Sequence, residues 1–274
     1  MIENCSFFFI PQVQELLSKN PLQNPYLYID INTYGSQGDN IRTYLVRSNE
    51  QIQIIIYQYY NSLQLWMNKN VTIDGSALKE LAQFITQYRF VMVSGLTSLI
   101  TGLKAHLDIY QQVDGHLFKF KGQIEQHTTD LPVFQWAHTP QEFERLASFI
   151  TTDADIGSHY TITQLTQQFL ERHEKYGCQN VFLEQEGQVI AHLGTYACYK
   201  QLAVIGGLLV DSNQRGKGLG RQIMMFLSKQ CEDRFGQQTV LYCYNPSLFK
   251  FYNTCGYEQI YDCSKLELRG DQHA

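Results

Sequence analysis

The chain has 274 residues, 44% of them apolar and only 17% charged, with a formal net charge of −5. That length suits one large domain or two of ordinary size. The acidic balance leaves no whole-protein basic field for a nucleic acid, and no apolar run approaches the length of a membrane span. The seven cysteines (Cys5, Cys178, Cys198, Cys231, Cys243, Cys255 and Cys263) are odd in number and show no C-x-x-C spacing. This argues against a disulfide framework or a zinc knuckle. Free thiols in a reducing cytosol, and no metal, are the expectation. The start, Met1-Ile2-Glu3-Asn4-Cys5, lacks the basic n-region of a signal peptide, so a cytoplasmic protein is expected.

In the first half, Val13 to Leu17 reads as a short helix, and Tyr26 to Ile31, Thr43 to Arg47, Gln51 to Tyr60 and Ser62 to Met67 read as strands. Ser76 to Tyr88 predicts a helix capped by Ser76, with Leu78, Leu81, Ala82 and Ile85 on one face. A strand at Phe90 to Val93, a helix at Leu96 to Leu107 and an alternating stretch at His116 to Phe120 follow. Lys121 to Pro132 is a polar, small-residue connector. It predicts two domains, 1–125 and 126–274.

The second half is more legible. Thr139-Pro140-Gln141-Glu142 opens a helix with a capping box and a proline at its first position. Phe143, Leu146, Ala147 and Ile150 then recur on one face. A second helix starts at Thr161, with Gln164 three residues on, and stops at Gly177. Val181 to Leu183 and Val189 to Ala197 predict a hairpin turning at Glu186-Gly187, with the next turn at Lys200-Gln201. The strand Ala203 to Val210 leads into Gln214-Arg215-Gly216-Lys217-Gly218-Leu219-Gly220 and then an amphipathic helix, Arg221 to Phe235, with Ile223, Met224, Leu227, Cys231 and Phe235 toward the core. Thr239 to Tyr244 is β-prone, Ser247 to Asn253 predicts a short helix ending near Gly256, and Tyr257 to Leu268 supplies the last strands.

Three glycines between a strand and a helix make a phosphate cradle. Glycine tolerates positive φ and close backbone approach, and the first N–H groups of a helix are unpaired at the positive end of its dipole. Alone, such a loop is a weak signal that fits any tight turn. Its downstream neighbours narrow it.

The stretch Ala203 to Tyr257 resembles the core of the GNAT acetyltransferase superfamily. Arg215-Gly216-Lys217-Gly218-Leu219-Gly220 fits that family's Gln/Arg-x-x-Gly-x-Gly/Ala loop. Asn245-Pro246-Ser247-Leu248-Phe249-Lys250-Phe251-Tyr252 fits its Asn-x-x-(small)-x-x-x-Tyr run, with Leu248 at the usually small position, and Gly256-Tyr257 its Gly-aromatic ending. The resemblance implies a mixed α/β GNAT fold: a central, mostly antiparallel sheet splayed between its fourth and fifth strands and flanked by helices. The N-terminal half reads as a degenerate copy, giving a tandem arrangement. Gly95 to Gly102 sits in a place comparable to the glycine loop but without its pattern.

By the same resemblance the donor is acetyl-CoA. In the stretch from Arg215 to Arg221, which includes Leu219, backbone N–H groups of Gly216, Lys217, Gly218, Gly220 and Arg221 would hold its pyrophosphate. Leu208, Leu209, Val210 and Asn245 would contact the pantetheine arm, and Tyr252 would protonate the departing thiolate. The partner is an amine-bearing small molecule or peptide, with a homodimer left open. No carboxylate lies in Ala203 to Gly207, where several relatives carry a general base. Direct attack by a neutral amine, or a base from the loop (Asp153, Asp155 or His159), stays open, and Glu184 and Glu186, beside the predicted hairpin turn, read as solvated. His192 and Tyr196 share one strand face and suit either the acceptor cleft or the core. Cys243 reads as a buried structural thiol. A non-catalytic acyl-CoA sensor is the alternative; an aminoacyl-tRNA-using transferase is a third reading that the acidic balance and the CoA-type loop oppose.

Overall fold

A computed structural model describes residues 2–48, 51–70, 73, 75–122, 132–154, 156–157 and 160–268. The chain divides into two compact units that are discontinuous in sequence: Met1–Leu117 with Tyr242–Pro246 and Gln259–Ala274, and Phe118–Leu241 with Ser247–Glu258. The boundary expected between residues 125 and 126 lies outside the described residues.

The first unit contains β1 (Ile2–Asn4), α1 (Ile10–Lys19), α2 (Pro25–Thr33), β2 (Gln37–Gly38), β3 (Ile41–Ser48), β4 (Gln51–Tyr59), β5 (Ser62–Met67), α3 (Gly75–Gln87), β6 (Met92–Leu96) and α4 (Thr97–Lys104). Most of β7 (Ile109–Phe120) belongs to it as well. Its strands run in the order β1-β3-β4-β5-β6, with β2 beside β3. All these pairs are antiparallel except β5 and β6, which run parallel over Ser62 to Gln64 against Met92 to Ser94. The core joins Leu81, Ala82 and Ile85 of α3 and Leu99, Ile100 and Leu103 of α4 to Ile54, Ile56, Leu63, Leu65 and Val93 of the sheet. Gln64 points to the opposite face and donates to Asp30 of α2 at 2.9 Å.

The expected strand Tyr26 to Ile31 is instead α2. Asn24 caps it by accepting from Leu27 N, and Pro25 stands in its first turn. Its β-rich look comes from burial nearly all round: Leu27, Tyr28, Ile29 and Ile31 are all buried, and an all-round apolar helix carries no 3.6-residue stripe to read.

The second unit contains β8 (Gln135–Trp136), α5 (Pro140–Thr151), α6 (Ile162–Tyr176), β9 (Asn180–Gln185), β10 (Gln188–Tyr199), β11 (Leu202–Val210), α7 (Leu219–Phe235), most of β12 (Gln238–Cys243) and α8 (Phe249–Thr254). The long final strand β13 (Tyr257–Leu268) begins here, and its later residues pair antiparallel with β6, Cys263 to Leu96 through Glu267 to Met92, within the first unit. The unit's sheet order is β12-β11-β10-β9-β8. Both predicted capping boxes form, Thr139 with Glu142 and Thr161 with Gln164, and Gly177 ends α6 at φ 67°. The β9–β10 turn uses Glu186 and Gly187, both at positive φ, as a tight hairpin requires. On one face α5 and α6 pack Phe143, Leu146, Ile150, Leu165 and Phe169 against Phe182 and Leu209. Ile223, Met224, Leu227 and Cys231 of α7 are buried, whereas Phe235 is 40% exposed and lies edge-on to Trp136 at 6.3 Å, outside the core expected for it. All seven cysteines are free and buried.

Candidate active site

β11 and β12 pair in parallel only from Leu202 to Val204 against Gln238 to Val240. Beyond Val204 no further rung joins them, so the edge of β11 from Ile205 onward faces away from any ladder on that side. On its other side β11 pairs with β10, and the register shifts between His192–Leu209 and Gly194–Gly206. Gly207 and Leu208 stand there against Leu193 alone, and Gly207 has φ 67°. This is a β-bulge, which bends the strand and turns its backbone groups.

His192 fastens the bulge. It is wholly buried, with Nδ1 2.9 Å from Gly207 O and Nε2 3.0 Å from the Asn180 side-chain amide at Oδ1. A carbonyl only accepts, so Nδ1 donates. Burial holds the ring's pKa down at about 4, so the ring is neutral and Nε2 accepts from the Asn180 NH2 group after a half-turn of that amide. Of the two roles open to His192, the structure selects the core one.

Past Val210, Asp211 caps a short 3-10 turn, Ser212–Gln214, by accepting from Asn213 N at 2.9 Å. Gly216 and Gly218 then adopt φ 78° and 81°, and a Cβ at either would meet nothing within 4 Å. These two positions are glycine because of backbone conformation, and the space beside them is open. Gly218 is the N-cap of α7, and Gln222 N, on Gly218 O at 3.0 Å, makes the helix's first bond. The backbone N–H groups of residues 216 to 221 have no acceptor among the described residues. This row of amides, at the positive end of a 17-residue helix, is what a pyrophosphate needs.

The charged side chains of the loop are occupied with the protein. Arg215 donates through Nε to Val210 O at 3.0 Å and lies 3.6 Å from Asp153. Lys217 bonds Gln214 Oε1 at 2.7 Å. Arg221 donates to Thr254 O, at the end of α8, at 2.9 Å. A Cβ at Gly220 would sit 3.5 Å from Phe251 and 3.6 Å from Val210. The structure thus brings together Val210, Gly220 and α8, which carries Tyr252; the Tyr252 ring lies 5.4 Å from Phe251 and 5.7 Å from Phe118. Leu208 and Leu209 stand at the bulge. Asn245 falls in the first unit, where its carbonyl accepts the Cys243 thiol at 3.3 Å, and burial pushes that thiol's pKa up. Tyr257 is buried and hydrogen-bonds Ser228 and Thr239, tying α7 to β12.

Of the base candidates, Glu184 is ion-paired with Arg145 at 2.6 Å and Glu186 forms the exposed hairpin turn. Asp153 accepts from Ile156 N at 3.1 Å and pairs with Arg215. Asp155 and His159 lie outside the described residues. Sequence reasoning missed the bulge and its His192 clasp; the adjacent Gly206-Gly207 within a strand was the available signal. Among the described residues no group of three or more His, Cys, Asp or Glu side chains could hold a metal ion, and no helix is long and apolar enough to cross a membrane.

Residues 135–257 match the family described as Acetyltransferase (GNAT) family. No curated protein matches the chain. Among solved structures, a GCN5-related N-acetyltransferase from Sphaerobacter thermophilus aligns with TM-score 0.68 and 13% identity, covering 98% of this chain and 96% of that one. A tandem GNAT protein from the clavulanic acid biosynthesis pathway aligns with TM-score 0.64 and 10% identity over 99% of both chains. An acetyltransferase of the GNAT family from Colwellia psychrerythraea gives 0.62 and 14%, covering 98% of this chain and all of that one. At such identities the likeness speaks to the fold: a GNAT fold in tandem.

Proposed function

We propose that this chain, whose residues 135–257 match the GNAT acetyltransferase family, is an N-acetyltransferase that moves an acetyl group from acetyl-CoA to the amine of a small molecule or peptide. The observation that carries this is the row of unpaired amides from Gly216 to Arg221 beside two left-handed glycines with open space around them. Those amides would hold the pyrophosphate by backbone alone, which fits the engagement of Arg215, Lys217 and Arg221 with protein partners. The unladdered edge of β11, Leu208 to Val210, would pair with the pantetheine amides as an added strand.

In the reaction the amine nitrogen attacks the thioester carbonyl carbon, the C–N bond forms, and the C–S bond breaks with its electron pair passing to sulfur. Tyr252 would give that sulfur a proton, so that no bare thiolate leaves. Every donor-site residue named here lies in 126–274, and residues 1–125 would support that domain without binding a donor themselves. Isothermal calorimetry with acetyl-CoA tests the reading: saturable binding at one site per chain is expected, and no binding would end it.

The absence of any carboxylate between Leu202 and Val210 favours a second reading, a CoA-binding sensor without an acceptor. Thiol release from acetyl-CoA against amino acids, polyamines, aminoglycosides and peptides separates the two. One efficient acceptor excludes the sensor; binding with only slow hydrolysis across the whole panel supports it.

A further inference from the structure

The bulge on β11 has a companion that the donor site does not use. Gly206 and Gly207 carry no side chains, and the Tyr196 ring of β10 lies across both. A Cβ built on Gly206 would stand 3.3 Å from Tyr196 Cδ2; one on Gly207 would stand 2.9 Å from Cζ and collide with the hydroxyl. Along this stretch β11 offers a bare backbone roofed by a phenol.

Tyr196 packs against the apolar group of Phe143, Leu165 and Phe169, yet its hydroxyl has no hydrogen-bond partner among the described residues. Burial pushes its pKa up to about 12, against the pull of Arg172, so it is a neutral hydroxyl near neutral pH. The Arg172 guanidinium stands 5.2 Å from the centre of the ring. Its one hydrogen bond is a long one, 3.4 Å to Gln168 Oε1, and no carboxylate of the described residues pairs with it. Arg172 is half-buried, and a partly desolvated guanidinium without an anion is a costly arrangement that an incoming carboxylate would relieve.

The geometry points to Tyr196 and Arg172 as the acceptor subsite: the Tyr196 hydroxyl accepts a hydrogen bond from the attacking amine, and Arg172 pairs with a carboxylate on the same molecule. The inference rests on the acetyltransferase reading and narrows its acceptor to amines that also carry an anion. Tyr196 binds and aims the nitrogen, and the proton that the amine sheds on forming the amide passes to solvent. Polyamines and aminoglycosides, which bring further positive charge, would be repelled by Arg172.

The test compares amines with and without the carboxylate, phenylalanine against phenethylamine and lysine against cadaverine, by thiol release from acetyl-CoA. Wild type, Tyr196→Phe and Arg172→Gln are assayed, with acetyl-CoA affinity measured in parallel by calorimetry. In wild type, kcat/KM at least tenfold higher for the carboxylated member of a pair is expected. Arg172→Gln should erase that preference. Tyr196→Phe, which keeps the ring and its packing, should lower kcat/KM at least tenfold for either member while acetyl-CoA affinity stays the same. Acetyl-CoA binding with no carboxylated amine acetylated, a preference for the decarboxylated member, or full activity of Tyr196→Phe would each overturn the subsite and leave the donor reading standing. Absence of acetyl-CoA binding in wild type would remove the donor reading, and the subsite with it.

Discussion

Apart from the short strand β2 of the first, the two units carry the same succession of strands and helices, and they part most clearly at one junction. In each, a three-strand antiparallel run feeds a helix, and the next strand returns parallel over only three rungs: β5 with β6 at Ser62 to Gln64, and β11 with β12 at Leu202 to Val204. In the first unit β4 and β5 stay in continuous register. The carbonyls of Leu65 and Met67, past the last parallel rung, are taken by Asn24 Nδ2 at 3.1 Å and by the Gln23 amide. Residues 68 to 74, which lead to α3, contain no glycine. In the second unit β11 bulges at Gly207, and Gly216 and Gly218 turn the chain into α7. One frame closes the gap with its own side chains; the other keeps the edge and the helix N-terminus for something else.

The comparison breaks most sharply at Gly218. Gly218→Glu would put a carboxylate among the open amides and force a side chain into the left-handed region, at about 1–2 kcal/mol, so acetyl-CoA affinity should fall by roughly a hundredfold or more. Gly75→Glu, at the start of α3 where a Cβ also meets nothing within 4 Å, should leave affinity unchanged in the same calorimetric titration. Equal behaviour of the two would erase the distinction between the units.

Next comes His192, for which the described residues of the first unit offer no buried histidine counterpart. The folded state holds the ring neutral, with a pKa of about 4 against 6.5 when exposed. Its contribution is therefore complete above about pH 6.5 and is lost as pH falls toward 4, by about 3 kcal/mol at most. Thermal melts across that window should steepen in wild type, and the part due to this ring should vanish in His192→Gln. An identical slope in both proteins would remove His192 as its source.

A smaller effect belongs to Tyr252. Tyr252→Phe should slow turnover by roughly a hundredfold, the lower end of the general-acid range, with acetyl-CoA affinity unaltered; unchanged kcat would discharge Tyr252 as the acid. The mildest probe is Asn24→Ala, which removes the α2 cap and the bond to Leu65 O. It should cost about 1–2 kcal/mol by denaturant melts and spare donor binding, because it acts in the unit that keeps its edge closed.

What could be read from the sequence was whatever rests on local chemistry. The capping boxes at Thr139 and Thr161, the stop at Gly177, the Glu186-Gly187 hairpin and the glycine turn before α7 each follow from a few neighbouring residues. What escaped depends on residues far apart in sequence. Tyr26 to Ile31 reads as a strand until α2 is seen buried nearly all round. Gly95 to Gly102 reads as comparable in place to the glycine loop, but it follows β6, which pairs parallel with β5 as β12 does with β11. The pairing of β13 with β6 is set by hydrogen-bonding edges, which carry no local signature. Of the candidate site, the amides of the loop were legible. The bulge, its His192 clasp and the phenol over Gly206 and Gly207 were not, because they arise from a register shift between strands.

The bond from Arg221 to Thr254 O has a dynamic consequence. α8 is six residues long, too short to hold itself together in water. Its last turn is capped by a side chain from the first turn of α7, the turn that presents the open amides. Ligand at those amides would steady both helices at once, so amide hydrogen exchange in α8 should slow when acetyl-CoA is added, although the helix lends the pyrophosphate no group of its own. Donor capture and the rigidity of the tyrosine-bearing helix would thereby be the same event.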